Sequence, residues 1–459
     1  MTRFELSDLP SNAHVHFIGI GGISMSGLAQ IMLQNGFKVT GSDRQSTHIT
    51  KKLETLGATV FEGHSAENVN GANLVVHTAA VHNNNPEIIA AKEKGIRTID
   101  RAECLGALMK LYKKAVGVSG THGKTSTTSM LAHALIHADT DPTISIGGEL
   151  DLIGGNIKVG SSDIFVTEAC EYTNSFLKFY PTVALITNIE EDHLDFFSGL
   201  EEIKTSFRTF ANLTKNKGVV IACGEDENVK DALKDADLDI LYYGFSKKFD
   251  YYAKDVVYKA GFPEFDIYFK NEFCCHVELK VPGEHNIMNA IAAVAVSMQL
   301  GVSPEDAARG IETYGGVHRR FEKKGMYNGA TVIDDYAHHP TEIKATLSAA
   351  SKFDYNRLVC LFQPHTYSRT KTLWGEFLKA FDDADELILL DIYAAREVYD
   401  GITRSEELAR QISARGVNTK FIKDFSGAVE YLKETLSEND ILFTMGAGDV
   451  YKIGEELVK

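Results

Sequence analysis

Residues 115–125 read Ala-Val-Gly-Val-Ser-Gly-Thr-His-Gly-Lys-Thr, a short apolar strand that runs into a glycine turn, and a helix is predicted to follow up to residue 136. A glycine turn between a strand and a helix directs backbone N–H groups at an anion. Lys124 adds a compact positive charge there, and the hydroxyl of Thr125 can bind Mg²⁺. The strict P-loop pattern is not met, because Val118 stands where that pattern requires glycine. The sequence therefore predicts a shortened phosphate-binding loop; the alternative is a tight turn whose lysine faces solvent.

Outward from this loop, short apolar runs alternate with amphipathic helical stretches along most of the chain. This alternation is typical of α/β domains with parallel sheets, and 459 residues suffice for about three such domains. Glycines and charged stretches divide the chain into residues 1–112, 113–316 and 317–459, with a hinge at Gly315-Gly316. The predicted strands are residues 14–18, 37–40, 74–78, 96–99, 115–118, 164–167, 183–187, 219–222, 240–243, 331–333, 358–362, 387–390 and 441–444, with a hairpin of 265–269 and 274–279.

The composition narrows the classes of function. Lys and Arg number 47 against 63 Asp and Glu, a net charge of −16, which argues against a broad surface for nucleic acid or anionic membranes. No run of about 18 apolar residues is present, and residues 1–10 do not resemble a signal peptide. The six cysteines are scattered without a C-x-x-C pair. We therefore expect a cytoplasmic protein with buried thiols and no membrane insertion.

Acidic side chains follow two of the predicted strands, at the strand ends where α/β proteins bind ligands. Glu168 and Glu171 come after the strand at 164–167, and Glu168 has the position of a metal carboxylate in nucleotide enzymes. The segment 188–195 places four carboxylates and His193 within six residues, and they would repel one another unless a cation or solvent neutralises them. Because Mg²⁺ prefers oxygen ligands, His193 would bind it through water. The alternative is a solvated acidic loop.

A second glycine turn, Gly19-Ile20-Gly21-Gly22, lies between the strand at 14–18 and a helix, and Asp43 follows about twenty residues later. The dinucleotide fingerprint G-x-G-x-x-G fails at its last position, which is Ser24. The turn is therefore a weak indication of NAD, but it suits a pyrophosphate at a helix N-terminus.

Two polar loops follow strands in the third block. Residues 334–340 contain Asp335 and two histidines, and residues 363–369 contain His365 and Arg369. Such carboxylate, imidazole and guanidinium groups suit a ribose, a phosphate or a substrate carboxylate. The alternative for each histidine is a capping or packing role.

Taken in order, these motifs resemble the Mur ligase family, and the resemblance runs nearly from end to end of the chain. It implies a Rossmann-like N-terminal domain for a UDP-sugar, a central P-loop ATPase-like domain with a mixed sheet, and a Rossmann-like C-terminal domain that closes over the amino acid and the nucleotide. The segments that carry the resemblance are residues 16–22, 41–43, 120–126, 168–171, 187–193, 283–290, 319–321, 334–342 and 363–370.

The resemblance also implies a reaction, the ATP-dependent joining of L-alanine to the lactyl carboxylate of UDP-N-acetylmuramate through an acyl phosphate, in peptidoglycan synthesis. The implied cofactors are ATP and Mg²⁺, and the matching motifs give Lys124, Glu168, His193 (a candidate base) and Arg369 as catalytic residues. The implied ATP ligands are Gly120, Thr121, His122, Gly123, Lys124, Thr125 and Ser126 at the phosphates, His285, Asn286 and Asn289 near adenine, Arg320 near the phosphates and Asp335 near the ribose. Mg²⁺ would lie among Thr125, Glu168 and His193, UDP against Gly19, Ile20, Gly21, Gly22 and Asp43, and the amino acid against His365 and Arg369.

The chain departs from the pattern of the family at several positions. Thr366 stands where many relatives have arginine, and Cys170 and Tyr172 replace two members of the acidic motif. Sister ligases carry a carbamylated lysine where we align Phe207; since Lys204 is one turn short of that position, we predict no carbamylation.

Three other functions stay open at this point. A sister amide ligase would attach a whole peptide to the same nucleotide sugar. An NAD-dependent dehydrogenase would use the first glycine turn and Asp43 but leaves Lys124, Glu168 and His193 without a role. A non-catalytic nucleotide-binding protein would keep the phosphate loop without amino-acid-stimulated release of phosphate.

Overall fold

Three β-sheets, each covered by helices, make up the computed structural model, which describes residues 4–78, 80–194, 196–215, 218–395 and 397–459. The predicted α/β fold of three domains is confirmed. Among the described residues, no helix is both long and apolar enough to cross a membrane.

The first sheet is all parallel, with the strand order β3-β2-β1-β4-β5. Its strands are β1 His14–Ile18, β2 Lys38–Asp43, β3 Thr59–Glu62, β4 Leu74–His77 and β5 Arg97–Asp100. The helices are α1 Ile23–Gln34, α2 His48–Thr55, α3 Pro86–Glu93 and α4 Arg101–Met109, with 3₁₀ turns at Leu6–Asp8 and Ala66–Val69.

The second sheet has ten strands in the order β15-β14-β13-β12-β11-β10-β6-β9-β7-β8, and it is mixed because β8 pairs antiparallel with β7. Its strands are β6 Lys114–Ser119, β7 Thr143–Leu150, β8 Gly155–Lys158, β9 Ile164–Glu168, β10 Val183–Ile186, β11 Val219–Cys223, β12 Ile240–Gly244, β13 Tyr251–Lys259, β14 Phe262–Phe269 and β15 Glu272–Glu278. The helices are α5 Lys124–His137, α6 Leu200–Ala211, α7 Glu227–Leu233, α8 Glu284–Gln299 and α9 Pro304–Ile311, with 3₁₀ turns at Asp151–Ile153, Tyr172–Lys178 and Asn212–Thr214.

The third sheet has the order β16-β17-β21-β18-β19-β20, and β16 is its antiparallel edge strand. Its strands are β16 Glu322–Tyr327, β17 Ala330–Asp335, β18 Leu358–Phe362, β19 Glu386–Leu389, β20 Asn418–Phe421 and β21 Ile441–Met445. The helices are α10 Pro340–Ala350, α11 Tyr367–Thr372, α12 Trp374–Phe377, α13 Ser405–Ala414, α14 Phe425–Thr435 and α15 Tyr451–Leu457.

The central strands are buried on both faces, as parallel strands covered by helices require. Every residue of β10, β11, β18 and β21 is buried, which explains why their sequences are apolar apart from Thr444 in β21. Strands β3, β7, β8, β13, β16 and β20 were not predicted. Most of them are partly exposed along their length, so they carry polar residues or glycines instead of an apolar run.

The contacts between residues group the chain into two compact units. The first unit comprises Met1–Ala253, Ile267–Cys275 and Asn289–Ile311, and the second comprises Lys254–Asp266, His276–Met288 and Glu312–Lys459. The predicted site residues fall into both units, and each unit has its own candidate ligand-binding groups. The domain boundaries at 112/113 and 316/317 stay a prediction.

Candidate functional site

The glycine turn of the central domain joins β6 directly to α5. Gly120 has φ +137° and Gly123 has φ +82°, backbone conformations that favour glycine. At Gly120 a Cβ atom would also lie 1.9 Å from Oγ1 of Thr187, which leaves no room for a side chain. The turn therefore has the strand–loop–helix geometry that presents backbone N–H groups and a helix N-terminus to an anion.

The loop is held from outside by the residues that follow β10. Thr187 Oγ1 donates to the carbonyl of His122 at 2.7 Å, and the Asn188 side chain accepts from the His122 N–H at 2.7 Å. The Thr121 N–H donates to the Asn188 carbonyl at 3.0 Å, and the Glu190 N–H donates to Thr121 Oγ1 at 2.9 Å. These contacts fix the loop before any ligand arrives. No role was predicted from the sequence for Thr187 or Asn188.

Lys124 begins α5, and its ammonium group turns back over the loop. It donates to the carbonyls of Gly120 and Thr121 and lies 3.1 Å from Oε2 of Glu171. The two side chains are 16% and 3% exposed, so the ion pair is largely screened from water. Burial alone would lower the pKa of Lys124, but the negative charges around it, that of Glu171 first among them, together with the hydrogen bond to Glu171 outweigh burial, and the pKa is raised. A permanent positive charge therefore lies at the mouth of the loop.

Glu168 ends β9, directly beside the start of the loop. It pairs in register with Val118 of β6, and its Oε1 accepts the N–H of Gly147 at 2.7 Å. The carboxylate of Glu168 and the hydroxyl of Thr125, in the first turn of α5, are oxygen donors of the kind that Mg²⁺ takes. The residues present therefore fit a magnesium ion.

His193 lies in the acidic loop with φ +54°, a conformation that few residues other than glycine adopt. Its Nε2 is 3.9 Å from Oε1 of Glu171 and 3.8 Å from Oδ2 of Asp192. Its ring packs on Tyr172 with 4.6 Å between ring centroids. The structure therefore brings His193 to the Lys124–Glu171 pair. Asp195, the last carboxylate of the predicted acidic motif, lies outside the described residues.

The first glycine turn and Asp43 are also brought together. The N–H of Gly21 donates to Oδ2 of Asp43 at 2.8 Å, and the N–H groups of Gly19 and Ile20 donate to the Ser42 carbonyl. Gly22 is the N-cap of α1. The turn, the helix N-terminus and Asp43 therefore form one group at the carboxyl ends of β1 and β2.

A buried carboxylate close to this group was missed by sequence reasoning. Glu87 of α3 is fully buried and accepts hydrogen bonds from Ser42 at 2.7 Å and from Asn68 at 2.8 Å. It also contacts His64 at 2.8 Å and His16 at 3.3 Å. Burial alone would raise the pKa of Glu87, but its hydrogen-bond partners together lower it. These partners lie far apart in the sequence, so no local motif could have revealed the cluster.

In the second unit, Asp335 lies at the end of β17 and is almost fully buried. It accepts from the N–H groups of Ala337 at 2.7 Å and Phe321 at 3.1 Å and from the Thr346 hydroxyl at 3.2 Å. Burial raises the pKa of Asp335 to about 6, and the charge of Arg320 limits the rise. Asp335 is therefore a carboxylate that can gain or lose a proton near neutral pH.

Arg320, also in the second unit, has a side chain that is 32% exposed. It lies 3.5 Å from Glu342 and over the ring of Tyr336. The neighbouring Arg319 is occupied structurally, because it donates to Asp334 at 3.0 Å and to the Gly446 carbonyl at 2.8 Å. Of this pair, Arg320 therefore has the more exposed side chain.

His365 and Arg369 lie in contact on the loop and helix after β18. Nη1 of Arg369 is 2.9 Å from Nδ1 of His365, whose ring stacks on Tyr393. Thr366 caps α11 by accepting the N–H of Arg369. The two predicted amino-acid ligands therefore form one group.

The three residues predicted near adenine are divided between the units. Asn289 accepts from Thr127 of α5 at 3.0 Å in the first unit. In the second unit, Asn286 donates to the Pro282 carbonyl at 2.7 Å, and His285 is exposed. Asn289 is therefore tied directly to the helix of the phosphate loop.

Comparisons with known proteins identify the family to which the chain belongs. Models of the Mur ligase family match in three segments: "Mur ligase family, catalytic domain" at residues 14–113, "Mur ligase middle domain" at 118–297 and "Mur ligase, glutamate ligase domain" at 319–448. The chain belongs to the Mur ligase family.

Individual relatives bear the name of one particular ligase of this family. The chain is 51% identical over 453 residues to the UDP-N-acetylmuramate–L-alanine ligase of Caldanaerobacter subterraneus subsp. tengcongensis, with 98% of each chain covered. It is 52% identical to the enzyme of that name from Acetivibrio thermocellus, with 100% of this chain and 98% of the relative covered. Among solved structures, the UDP-N-acetylmuramate–alanine ligase of Thermotoga maritima has a TM-score of 0.76 at 31% identity, covering 97% of this chain and 98% of that one.

Proposed function

We propose that this chain joins L-alanine to the lactyl carboxylate of UDP-N-acetylmuramate with the conversion of ATP to ADP and phosphate. The main observation behind the proposal is the phosphate loop, in which Lys124 forms an ion pair with Glu171. Glu168 ends the strand next to this loop. Relatives about half identical over almost the whole chain bear the name of this activity. We place the reaction, a step of peptidoglycan synthesis, in the cytoplasm, where ATP is available.

The phosphate loop supplies the activation step. A carboxylate is a poor acyl donor, and transfer of the γ-phosphoryl group to it gives a reactive acyl phosphate. Residues 120–126 would surround the ATP phosphates, and the ammonium of Lys124 would exchange its contacts to the loop carbonyls for the transferring phosphoryl oxygens. Stabilising charge where it develops is the largest contribution that a protein makes to phosphoryl transfer.

We further propose Glu168 and Thr125 as Mg²⁺ ligands, with His193 bound to the ion through water. A bound ion would neutralise phosphate oxygens in the same reaction. The position of His193, 3.9 Å from Glu171 and packed on Tyr172, supports a second role, that of a base for the incoming ammonium group.

The other predicted residues are assigned to the two substrates and to the remaining parts of ATP. In the first unit, the Gly19-Ile20-Gly21-Gly22 turn with Asp43 would hold the UDP group, which its helix N-terminus suits. In the second unit, Arg369 with His365 would bind the carboxylate of L-alanine, since a guanidinium group matches a carboxylate. Adenine would lie near His285, Asn286 and Asn289, the ATP ribose against Asp335, and phosphate against Arg320.

The test is release of phosphate with ATP, Mg²⁺ and UDP-N-acetylmuramate, in separate reactions with L-alanine, glycine, L-serine and a tripeptide. We expect turnover with L-alanine and an amide product of the matching mass. Turnover with the tripeptide alone would make the chain a peptide-recycling ligase, and consumption of NADH without release of phosphate would make it a dehydrogenase. Nucleotide binding with no amino-acid-stimulated phosphate would leave only a binding protein.

A further inference from the structure

The hairpin of β7 and β8 lies next to the strand that carries Glu168. Ser145 of β7 pairs with Ile157 of β8 on one side and with Thr167 of β9 on the other. The residue after Thr167 is Glu168, so β7 lies beside the end of the strand that carries the proposed metal carboxylate. Neither strand of the hairpin was predicted from the sequence.

Gly147 brings the backbone of the hairpin onto the carboxylate. Its N–H donates to Oε1 of Glu168 at 2.7 Å. A Cβ atom on Gly147 would lie 2.8 Å from Oε2 and 3.2 Å from Oε1 of Glu168, so an alanine there would push the carboxylate away. The φ angle of Gly147 is not positive, so residues other than glycine could adopt its backbone conformation. It is therefore the lack of a side chain at Gly147 that allows the backbone to come this close to the carboxylate.

The same hairpin also packs against α1, the helix that begins at the first glycine turn. Gly27 of α1 is buried, and a Cβ atom there would lie 1.4 Å from Cδ1 and 3.2 Å from Cβ of Ile157. The Ile157 side chain therefore fills a notch in α1 that only glycine leaves open. Both contacts lie within the first unit.

We propose that Gly147 is a positioning residue, which orients the Glu168 carboxylate through its backbone N–H, and that Ile157 in the Gly27 notch fixes the hairpin for this task. The proposal rests on the proposed function, in which Glu168 binds Mg²⁺. Partners that hydrogen-bond a metal ligand from outside typically account for about 10–100-fold of metal affinity. The helix at the nucleotide-sugar turn thus also supports the carboxylate of the ATP site.

The first experiment compares Gly147→Ala with the full-length wild-type chain. Titration calorimetry measures the affinity for ADP in the presence of Mn²⁺ and in its absence, and steady-state assays give kcat and the KM values for Mg²⁺ and UDP-N-acetylmuramate. We expect the Mn²⁺-dependent part of ADP affinity to fall and the KM for Mg²⁺ to rise, each about tenfold or more. The KM for the nucleotide sugar should stay within about twofold, a split that general loss of stability would not produce.

The second experiment tests the contact between Ile157 of the hairpin and Gly27 of α1. Ile157→Ala empties the notch, and we expect a loss of Mn²⁺-dependent affinity in the same direction as Gly147→Ala but smaller. Adding Gly27→Ala places a methyl group in the vacated space, 3.2 Å from the remaining Cβ, and should recover part of the loss. Gly375→Ala is the matched control, because the Cβ of this helical glycine would meet nothing within 4 Å.

The outcomes separate the two proposals. Wild-type protein that binds ADP equally well with and without Mn²⁺, but still releases phosphate with L-alanine, would overturn the proposed Mg²⁺ site at Glu168 and this inference with it. A wild-type chain that responds to Mn²⁺, together with a Gly147→Ala variant of the same affinity, would overturn the positioning role alone. If the double variant has the same Mn²⁺-dependent affinity for ADP as Ile157→Ala, the contact between Ile157 and Gly27 does not fix the hairpin.

Discussion

Replacing Lys124 by methionine should cost both activity and stability, and the structure allows each part to be estimated. The side chain provides the positive charge of the phosphate loop, and loss of one group that stabilises transition-state charge typically lowers kcat by about 10²–10³, or about 2.7–4 kcal/mol. We expect a loss in this range for phosphate release with L-alanine.

The cost in stability comes from the partner that Lys124 leaves behind. Glu171 is 3% exposed and lies 3.1 Å from the ammonium group, so the variant would retain a buried and uncompensated carboxylate. Breaking a buried ion pair from one side typically destabilises a protein by about 3–5 kcal/mol. The free energy of unfolding of the Lys124→Met variant, measured in urea, should therefore fall by an amount in this range.

A double variant separates the two effects. Glu171→Gln removes the charge that Lys124→Met leaves unpaired, so the double variant should regain most of the lost stability. Its kcat should stay low, since the charge on the phosphates is still missing. A single variant that folds and keeps kcat within about tenfold of wild type would refute the role of Lys124, and a double variant as unstable as the single one would refute the ion-pair argument.

Three further predictions concern single residues. Gly120→Ala should abolish ATP binding in calorimetry, because its Cβ would lie 1.9 Å from Thr187 Oγ1 at a φ of +137°. Tyr172→Ala should lower kcat about two- to tenfold, since an aromatic contact such as that with His193 is worth about 0.5–1.5 kcal/mol, whereas Tyr172→Phe should retain wild-type rates. Burial raises the pKa of Asp335 to about 6, so its contribution to stability is complete below the ordinary value of 3.8 and is lost as the pH rises through about 6. Asp335→Asn should remove this decline, measured as the free energy of unfolding in urea between about pH 4 and about pH 7.

Each of these predictions has an outcome that contradicts it. ATP affinity of Gly120→Ala equal to that of wild type would show that the loop has room for a side chain. Equal rates for the alanine and phenylalanine variants of Tyr172 would show that its ring takes no part in holding His193. Parallel stability curves for wild type and Asp335→Asn would mean that this carboxyl does not titrate differently in the folded chain.

The buried strands could be predicted from the sequence, whereas several partly exposed strands could not. Strands such as β10 and β18 are apolar at every position because helices cover both faces. In contrast, β8 reads Gly-Asn-Ile-Lys with every residue partly exposed, and β20 has no buried residue. Such strands form because a neighbouring strand offers hydrogen bonds, and that neighbour is invisible in a local stretch of sequence.

The candidate site divides in the same way. Lys124 and Glu168 were found because each follows a recognisable strand within a few residues. Gly147 and Glu87 were missed, because their importance lies in contacts with residues about 20 or more positions away. A lone glycine or glutamate carries no sign of such a contact, and only the folded chain brings the partners together.

The buried Glu87 cluster also has a consequence for behaviour in acid. Because the pKa of Glu87 is lowered, its contribution to the N-terminal domain persists through weak acid and is lost only as the pH falls below the usual range of a glutamate. Asp335 acts with the opposite sign, since mild acid neutralises a carboxylate whose charge is costly in the C-terminal domain. Acidification should thus first remove the costly charge of Asp335 in the C-terminal domain and then, at lower pH, remove the contribution of Glu87 to the N-terminal domain.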